Sequence, residues 1–229
     1  MIKELSIVIP CYNEESRIVN TLKKIINYCD KKIEEYEIII VDDGSTDSIH
    51  MVLNSHLNNK IKLITLQQNM GKGYAVRIGV FNAKYKWVLF TDADNSTPIE
   101  MLYRLYFRYT NKYKLIIGSR NLKGSKRVIK QPFYRSFSGN IFPVLVRIML
   151  GIKIKDTQCG FKLMERDTIR EIFYLQKIYR FAFDVELIKN CLDDKIPVKE
   201  VAINWYNDTS SKVKIKDVID MFMTLWRLR

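Results

Sequence analysis

Short apolar runs alternate with helical patterns through the first half of the chain, and this alternation restricts the fold more than any other feature. The runs lie at residues 5–10, 38–41, 61–66, 87–90 and 115–118. The first run is short, nearly continuous and closed by Pro10, as expected of a strand that is buried on both faces. Between the runs, apolar residues recur three and four positions apart, as on one side of a helix. The sequence therefore predicts an α/β fold with a mostly parallel central sheet and helices on both faces.

Polar side chains follow the ends of four predicted strands. Ligands of open parallel sheets bind outside the carboxyl ends of the strands, so these side chains are expected to meet along one edge. In chain order they are Tyr12 and Glu14, Asp42 and Asp43, Lys72, and Asp92 and Asp94. None of the four groups is specific alone, and it is their convergence that indicates a ligand site.

The most informative pair is Asp92 and Asp94, one residue apart after the fourth strand. In a continuing strand they would point to opposite sides, but in a loop both can turn toward one cation. Mg²⁺ and Mn²⁺ take oxygen ligands, commonly one or two carboxylates together with substrate phosphates. We therefore predict that this pair holds Mg²⁺ or Mn²⁺. A solvated acidic loop is the alternative, and it is the commoner meaning of such a pair in isolation.

Two common nucleotide-binding motifs are missing from the sequence. Residues 71–73 lack the spacing and the hydroxyl of a Walker P-loop, and no GxGxxG follows the first strand. A P-loop NTPase and a Rossmann dehydrogenase are therefore disfavoured. What remains is a nucleotide at the ends of strands one and two, with its diphosphate bridged to a metal at strand four. Lys72 would add positive charge there, although a flexible surface lysine explains it equally well.

The net charge of the chain limits the kinds of binding partner to be expected. The 229 residues include 38 Lys and Arg against 25 Asp and Glu, which gives +13. Such a surface favours phosphorylated small molecules, an anionic membrane face or nucleic acid. The aromatic residues between 103 and 109 recur at helical spacing and no RNA or DNA motif is present, so we expect no nucleic acid as a partner.

The cysteines and histidines show no metal-binding spacing. His50 and His56 do not share a helical face, and solvated surface positions are expected for both. No CxxC pair occurs among the cysteines, and reduced thiols in a cytosolic compartment are the simplest account. The cysteines are Cys11, Cys29, Cys159 and Cys191.

No stretch of the sequence has the length of a membrane span, and no signal-peptide pattern is found at the N-terminus. The most apolar stretch, residues 141–154, is interrupted by Pro143, Arg147 and Gly151. The stretch 218–229 combines apolar and aromatic side chains with arginines. Attachment to a membrane surface and packing on the rest of the domain are both open for these two stretches.

Taken in order, the motifs resemble the inverting family 2 glycosyltransferases, which have the GT-A fold. The matching segments of the first half are 7–14 (IVIPCYNE), 41–45 (VDDGS), 69–73 (NMGKG) and 92–94 (DAD). The second half resembles the dolichyl-phosphate β-glucosyltransferases of that family. Its matching segments are 156–162 (DTQCGFK), 181–186 (FAFDVE), 201–205 (VAINW) and 211–213 (SKV).

This resemblance implies metal-dependent, inverting transfer of glucose from UDP-glucose to dolichyl phosphate or another polyprenyl phosphate in a membrane. The related dolichyl-phosphate mannosyltransferases, which use GDP-mannose, are the nearest alternative, and a family 2 transferase that acts on another glycan is a further one. A phosphate acceptor has a second pKa near 6, so it is already an anionic nucleophile at neutral pH. Such a reaction needs no strong general base.

The resemblance also implies roles for individual residues. Those expected at the nucleotide sugar are Pro10, Tyr12, Glu14, Asp42, Asp43, Lys72, Asp92 and Ala93. Those expected to take part in the transfer are Asp94, Asp184, Arg120 and Arg135, with Arg120, Arg135 and Gln158 at the acceptor. Arginine suits this task because its planar fork binds two phosphate oxygens. A surface charge at Arg135 and a helix N-cap at Asp184 are the plain alternatives.

One domain is expected over 1–229, with a nucleotide-sugar-binding half at 1–119 and an acceptor-binding half at 120–229. The resemblance implies a peripheral enzyme, at the cytosolic face of the endoplasmic reticulum membrane in a eukaryote or at the cytoplasmic membrane face in a prokaryote. A separate membrane-anchoring subunit remains an open alternative.

Overall fold

The computed structural model describes the backbone of residues 1–127, 133–206 and 215–228, and the side chains of these residues apart from 133–141 and 215–220. The strands are β1 (Ile2–Cys11), β2 (Ile33–Asp42), β3 (Ile61–Thr65), β4 (Trp87–Thr91), β5 (Leu115–Ser119), β6 (Lys126–Arg127), β7 (Phe161–Glu165), β8 (Val198–Ala202) and β9 (Asn204–Trp205). The α-helices are α1 (Glu15–Lys32), α2 (Ile49–Asn54), α3 (Lys72–Asn82), α4 (Leu102–Tyr109), α5 (Phe133–Leu150), α6 (Arg166–Tyr174), α7 (Phe183–Asp193) and α8 (Ile215–Arg227). A 3₁₀ turn at Ile99–Met101 precedes α4.

Seven strands form one sheet in the order β3-β2-β1-β4-β7-β5-β8. All neighbouring pairs are parallel except the two that involve β7, which runs antiparallel to β4 and to β5. The predicted mostly parallel sheet with helices on both faces is confirmed. The alternation in the first half of the sequence does not predict β7, whose position is set by pairing with strands that precede it by many residues.

The reversed direction of β7 matters for the site. Phe161, its first residue, pairs with Thr91, the last residue of β4. The segment that leads into β7 therefore lies at the same edge of the sheet as the loops that leave β4 and β5. Strands β6 and β9 form a separate two-stranded parallel sheet. In the chain, β6 follows β5 and β9 follows β8.

Successive residues of β1 point into two apolar cores, one on each face of the sheet. Ile7 and Ile9 pack with residues of α1, α2 and α4, whereas Val8 packs with residues of α3, α6 and α7. All three side chains are fully buried. Full burial of such side chains stabilises a fold by about 1.5–3 kcal/mol each, which explains why the strand is apolar at every position rather than at alternate ones.

Parts of α5 and α8 pack on the second core. Phe142, Val146, Met221 and Leu225 are buried there, and the rings of Phe142 and Phe222 meet edge to face at 5.9 Å. One side of each of these two apolar stretches therefore packs on the rest of the domain, as one of the two alternatives predicted. Among the described side chains of these two helices, the large apolar ones that are exposed are Val144, Ile148, Met223 and Trp226.

Among the helices of the described residues, none combines the length and the apolar character needed to cross a bilayer.

Candidate active site

Asp92 and Asp94 lie in the loop that leaves β4, at the predicted edge of the sheet. The backbone N–H of Asp92 donates to the carbonyl of Gly160 at 3.1 Å, so the segment before β7 holds the start of the loop. Asp94 Oδ1 accepts the backbone N–H of Ser96 at 2.8 Å. Both aspartates are partly exposed and lie outside the two apolar cores.

The pair fits a divalent cation that is shared with a substrate. Burial raises the pKa of Asp94, and the nearby charge of Asp92 acts in the same direction, so a bound cation would relieve repulsion. Within the described part of the chain no group of three or more His, Cys, Asp or Glu side chains is placed to hold a metal. Two carboxylates suit Mg²⁺ or Mn²⁺, which commonly takes its remaining ligands from phosphates and water.

Lys72, the first residue of α3, places its ammonium against this pair. Its Nζ lies 2.6 Å from Asp92 Oδ1 and 5.4 Å from the centroid of the Phe90 ring. Burial acts to lower the pKa of Lys72, but the negative charges of Asp92 and Asp184 outweigh it and raise the pKa. The side chain is therefore a charged member of the cluster, and the alternative of a flexible surface lysine is wrong.

Asp43 places Lys72 at the site through the backbone. Its two carboxylate oxygens accept the N–H groups of Met70 and Gly71, each at 2.8 Å. Gly71 has a φ of 107°, and a Cβ there would lie 2.5 Å from the carbonyl oxygen of Tyr179. Only glycine tolerates this backbone and this approach. Because α3 begins at the next residue, Asp43 fixes where the helix, and Lys72 with it, starts.

Asp42 is buried and also holds a loop. Its Oδ1 accepts the backbone N–H of Ser45 at 3.0 Å, and its Oδ2 lies 2.9 Å from His50 Nε2. The His50 side chain is 50% exposed. The expectation of a solvated surface histidine is thus incomplete, because one ring nitrogen is bonded to Asp42.

The remaining residues predicted at the nucleotide sugar lie on the same edge. Pro10 and Ala93 are buried beside the ends of β1 and β4. Tyr12 is 40% exposed. Both carboxylate oxygens of Glu14 accept bonds from the Arg17 guanidinium at 2.7 Å. The Tyr12 ring is therefore open to a ligand, whereas the Glu14 carboxylate is already engaged in an ion pair.

Lys162 is a fully buried lysine of β7, and the family resemblance assigned it no role. Its Nζ donates to Asp184 Oδ1 at 2.5 Å and to the Cys159 carbonyl at 2.6 Å, and it lies 5.7 Å from the centroid of the Phe90 ring. The signal in the sequence is a lysine between the apolar residues Phe161 and Leu163 of a buried strand. Asp184 lies in the first turn of α7, and the N-cap of that helix is Ala182, so the N-cap alternative for Asp184 is wrong.

Arg120 follows β5 and forms a two-bond ion pair. Its Nε and Nη2 donate to the two carboxylate oxygens of Asp156 at 2.8 Å each, and its backbone N–H donates to Asp156 Oδ2 at 2.8 Å. The guanidinium also lies over the ring of Trp205, 5.4 Å from its centroid. Burial acts to raise the pKa of Asp156, but the charge and hydrogen bonds of Arg120 outweigh it and lower the pKa.

The structure describes fewer contacts for the other residues predicted at the acceptor. Gln158 precedes β7, and its Nε2 lies 3.8 Å from the sulfur of Met221 on α8. Arg135 belongs to α5, but its side chain lies outside the described residues, as do residues 211–213. A cavity of about 410 Å³ opens between the segment 177–182 and α8, and Met221 is part of its lining.

Gly160 leaves no room for a side chain beside Asp92, and this gives a prediction. A Cβ at Gly160 would lie 1.9 Å from Asp92 Oδ2 and 2.2 Å from Asp92 Cγ. Gly160→Ala should therefore turn the Asp92 carboxylate away from Lys72, and a reaction catalysed at this site should slow about 100-fold, as for a misplaced reacting group. The measurement is kcat together with thermal unfolding.

Gly151→Ala is the matched control for this substitution. A Cβ at Gly151 would meet no heavy atom of the described residues within 4 Å, but the backbone there has a φ of 67°. Alanine at this position should cost about 1–2 kcal/mol of stability through the backbone and leave the rate of a reaction at the site unchanged in the folded protein. Equal activity losses in the two variants would mean that contact with Asp92 is not the cause.

The fold is that of the GT-A class of glycosyltransferases, with the acidic pair at the edge of its sheet. A solved structure of this fold is glucosyl-3-phosphoglycerate synthase from Mycobacterium tuberculosis in complex with Mn²⁺, UDP-glucose and phosphoglyceric acid. It matches with a TM-score of 0.72 and 18% identity over 98% of this chain and 79% of that chain. At this identity the likeness concerns the fold alone.

The chain belongs to glycosyl transferase family 2, whose family model matches residues 6–173. Two curated relatives are dolichyl-phosphate β-glucosyltransferases. The relative from Dictyostelium discoideum is 36% identical over 98% of this chain and 73% of its own length. The relative from Mus musculus is 36% identical over 92% of this chain and 70% of its own length. The family resemblance predicted from the motifs is confirmed, and the protein is a glycosyltransferase.

Proposed function

We propose that this protein transfers glucose from UDP-glucose to a polyprenyl phosphate such as dolichyl phosphate, with inversion at the anomeric carbon and with Mg²⁺ or Mn²⁺ bound. The observation that carries the proposal is the 36% identity over 98% of the chain to a dolichyl-phosphate β-glucosyltransferase. The structure supports it by gathering acidic and basic side chains at the edge where ligands of such sheets bind.

In this proposal the first half of the chain, 1–119, binds the nucleotide sugar. The ends of β1 and β2 hold the nucleoside, and Asp92 and Asp94 hold the cation. A bound divalent cation stabilises the negative charge that develops on the departing diphosphate. Lys72 adds a second positive charge at the same place, because its ammonium already lies beside Asp92.

The second half, 120–229, is proposed to bind the acceptor phosphate. One observation favours a phosphate over a sugar hydroxyl. Asp184 Oδ1 is bonded to the Lys162 ammonium at 2.5 Å, so this carboxylate is already engaged in an ion pair and is not a free base for an acceptor hydroxyl. A phosphate oxygen is anionic at neutral pH and needs no such base. It attacks the anomeric carbon from the face opposite the diphosphate, which inverts the configuration.

Arg120 and Arg135 are the proposed cations for the acceptor phosphate, with Gln158 nearby. The bonds of Arg120 to Asp156 orient its guanidinium at the end of β5. The net charge of +13 and the exposed apolar residues of α5 and α8 support a peripheral position on an anionic membrane. The cytosolic face of the endoplasmic reticulum membrane is the proposed location in a eukaryote.

A donor-by-acceptor assay tests the proposed function. Purified protein is incubated with UDP-glucose, UDP-galactose or GDP-mannose and with farnesyl phosphate or a longer polyprenyl phosphate. We expect glucosyl transfer to the phosphate, loss of at least about 100-fold in rate with EDTA, and recovery with excess Mn²⁺ or Mg²⁺. Preference for GDP-mannose, transfer only to a glycan hydroxyl, or full activity in EDTA would each contradict one part of the proposal.

A further inference from the structure

Four charged side chains form two neighbouring ion pairs, a buried pair behind the site and a partly exposed pair within it. Lys162 is bonded to Asp184, and Lys72 is bonded to Asp92. Both ammonium groups lie over the ring of Phe90, at 5.4 and 5.7 Å from its centroid.

The ion pair of Lys162 and Asp184 is not explained by a contribution to stability. Lys162 is fully buried and Asp184 is 3% exposed, so both charges lose most of their hydration. Replacement of such a buried pair by apolar residues of similar volume is often neutral or stabilising. Lysine at this position of β7 therefore needs another explanation. We look for it in the neighbouring candidate site.

We infer that Lys162 is a positioning residue for the donor sugar: it holds the Asp184 carboxylate at the inner wall so that Asp184 accepts hydrogen bonds from hydroxyl groups of the transferred hexose. This inference rests on the proposed function. In a nucleoside diphosphate sugar the hexose is joined directly to the terminal phosphate. With the diphosphate at Lys72 and the acidic pair, the hexose lies within reach of Asp184.

This arrangement makes Asp184 a hydrogen-bond acceptor that can distinguish one hexose from another. Lys162 compensates its charge from the buried side and fixes the carboxylate between β7 and α7. A site built to hydrogen-bond a hydroxyl discriminates strongly against a substrate that cannot make the bond. Lys162 and Asp184 should therefore control which hexose epimer is transferred, without contributing to the binding of the free nucleotide.

The test compares binding of UDP-glucose with binding of UDP by calorimetry, with Mn²⁺ present. In Lys162→Arg and Asp184→Asn we expect the affinity for UDP-glucose relative to UDP to fall at least about tenfold, with UDP affinity unchanged. The kcat/KM ratio of UDP-glucose to its C4 epimer UDP-galactose should fall by a similar factor. The double variant Lys162→Met/Asp184→Leu removes both charges together, and it should fold and lose the sugar-dependent affinity.

Glu37→Gln is the matched control. Glu37 is another fully buried carboxylate, bonded to Ser6 at 2.7 Å and to Lys62 at 3.1 Å, but on β2 at a distance from the acidic pair. Its substitution should lower stability and leave both ratios unchanged. If the Lys162 and Asp184 variants only lower stability and keep both ratios, Lys162 is merely structural and the inference is overturned. If the wild-type enzyme uses another nucleotide sugar, the proposed function fails, and the same ratios measured with that donor and its free nucleotide still decide the role of Lys162.

Discussion

Asp94→Asn is expected to reduce kcat by about two to three orders of magnitude, the usual effect of removing one electrostatic contact to the transition state. The reason is that asparagine keeps the side-chain oxygen that accepts the Ser96 N–H at 2.8 Å but removes the negative charge that would hold the cation. Burial and the neighbouring Asp92 raise the pKa of Asp94, so the neutral residue should be accommodated without loss of stability. The measurement is kcat at saturating donor and metal, with the unfolding midpoint of the same preparation.

Asp167→Asn provides the matched control for that experiment. Asp167 lies on α6 with its side chain 69% exposed and paired with the adjacent Arg166. The same change of one carboxylate to an amide there should leave kcat within about twofold, since exposed substitutions away from special features have small effects. Unchanged turnover in Asp94→Asn would remove Asp94 from the proposed mechanism.

Arg120→Met is expected to lower the free energy of unfolding by about 3–5 kcal/mol, because it leaves the charge of Asp156 buried without its partner. Asp156 is 1% exposed and receives both guanidinium bonds at 2.8 Å. Urea unfolding measures the effect. Arg104→Met on the exposed side of α4 makes the same change of side chain and should cost no more than about 0.5 kcal/mol.

The double variant Arg120→Met/Asp156→Asn separates the structural role of Arg120 from its proposed role at the acceptor. Asparagine removes the unpaired charge and still accepts the backbone N–H of Arg120, so most of the lost stability should return. If Arg120 also binds the acceptor phosphate, this stable variant should show a raised KM for polyprenyl phosphate and an unchanged KM for the donor. A normal acceptor KM would restrict Arg120 to the ion pair with Asp156.

Sequence reasoning located the acidic pair and Lys72 at the correct edge because the strands before them have a strong local signal. It did not reveal how many of the predicted site residues are committed to internal bonds. Asp43 positions Gly71 and Asp42 contacts His50, and these bonds join residues from different loops. No periodicity in the sequence reports such pairings.

The local order of residues determined the five strands of the first half, the edge of the sheet at which the predicted site residues lie, and the family. Runs of buried side chains and short motifs are properties of adjacent positions, so they can be read without the fold. The tertiary structure alone decided that β7 enters the sheet in reverse between β4 and β5. That insertion carries Gly160 against Asp92 and buries Lys162 beside Asp184, which lies 22 positions further along the chain. Such contacts depend on which strands pair, and pairing is chosen by the packing of the whole sheet.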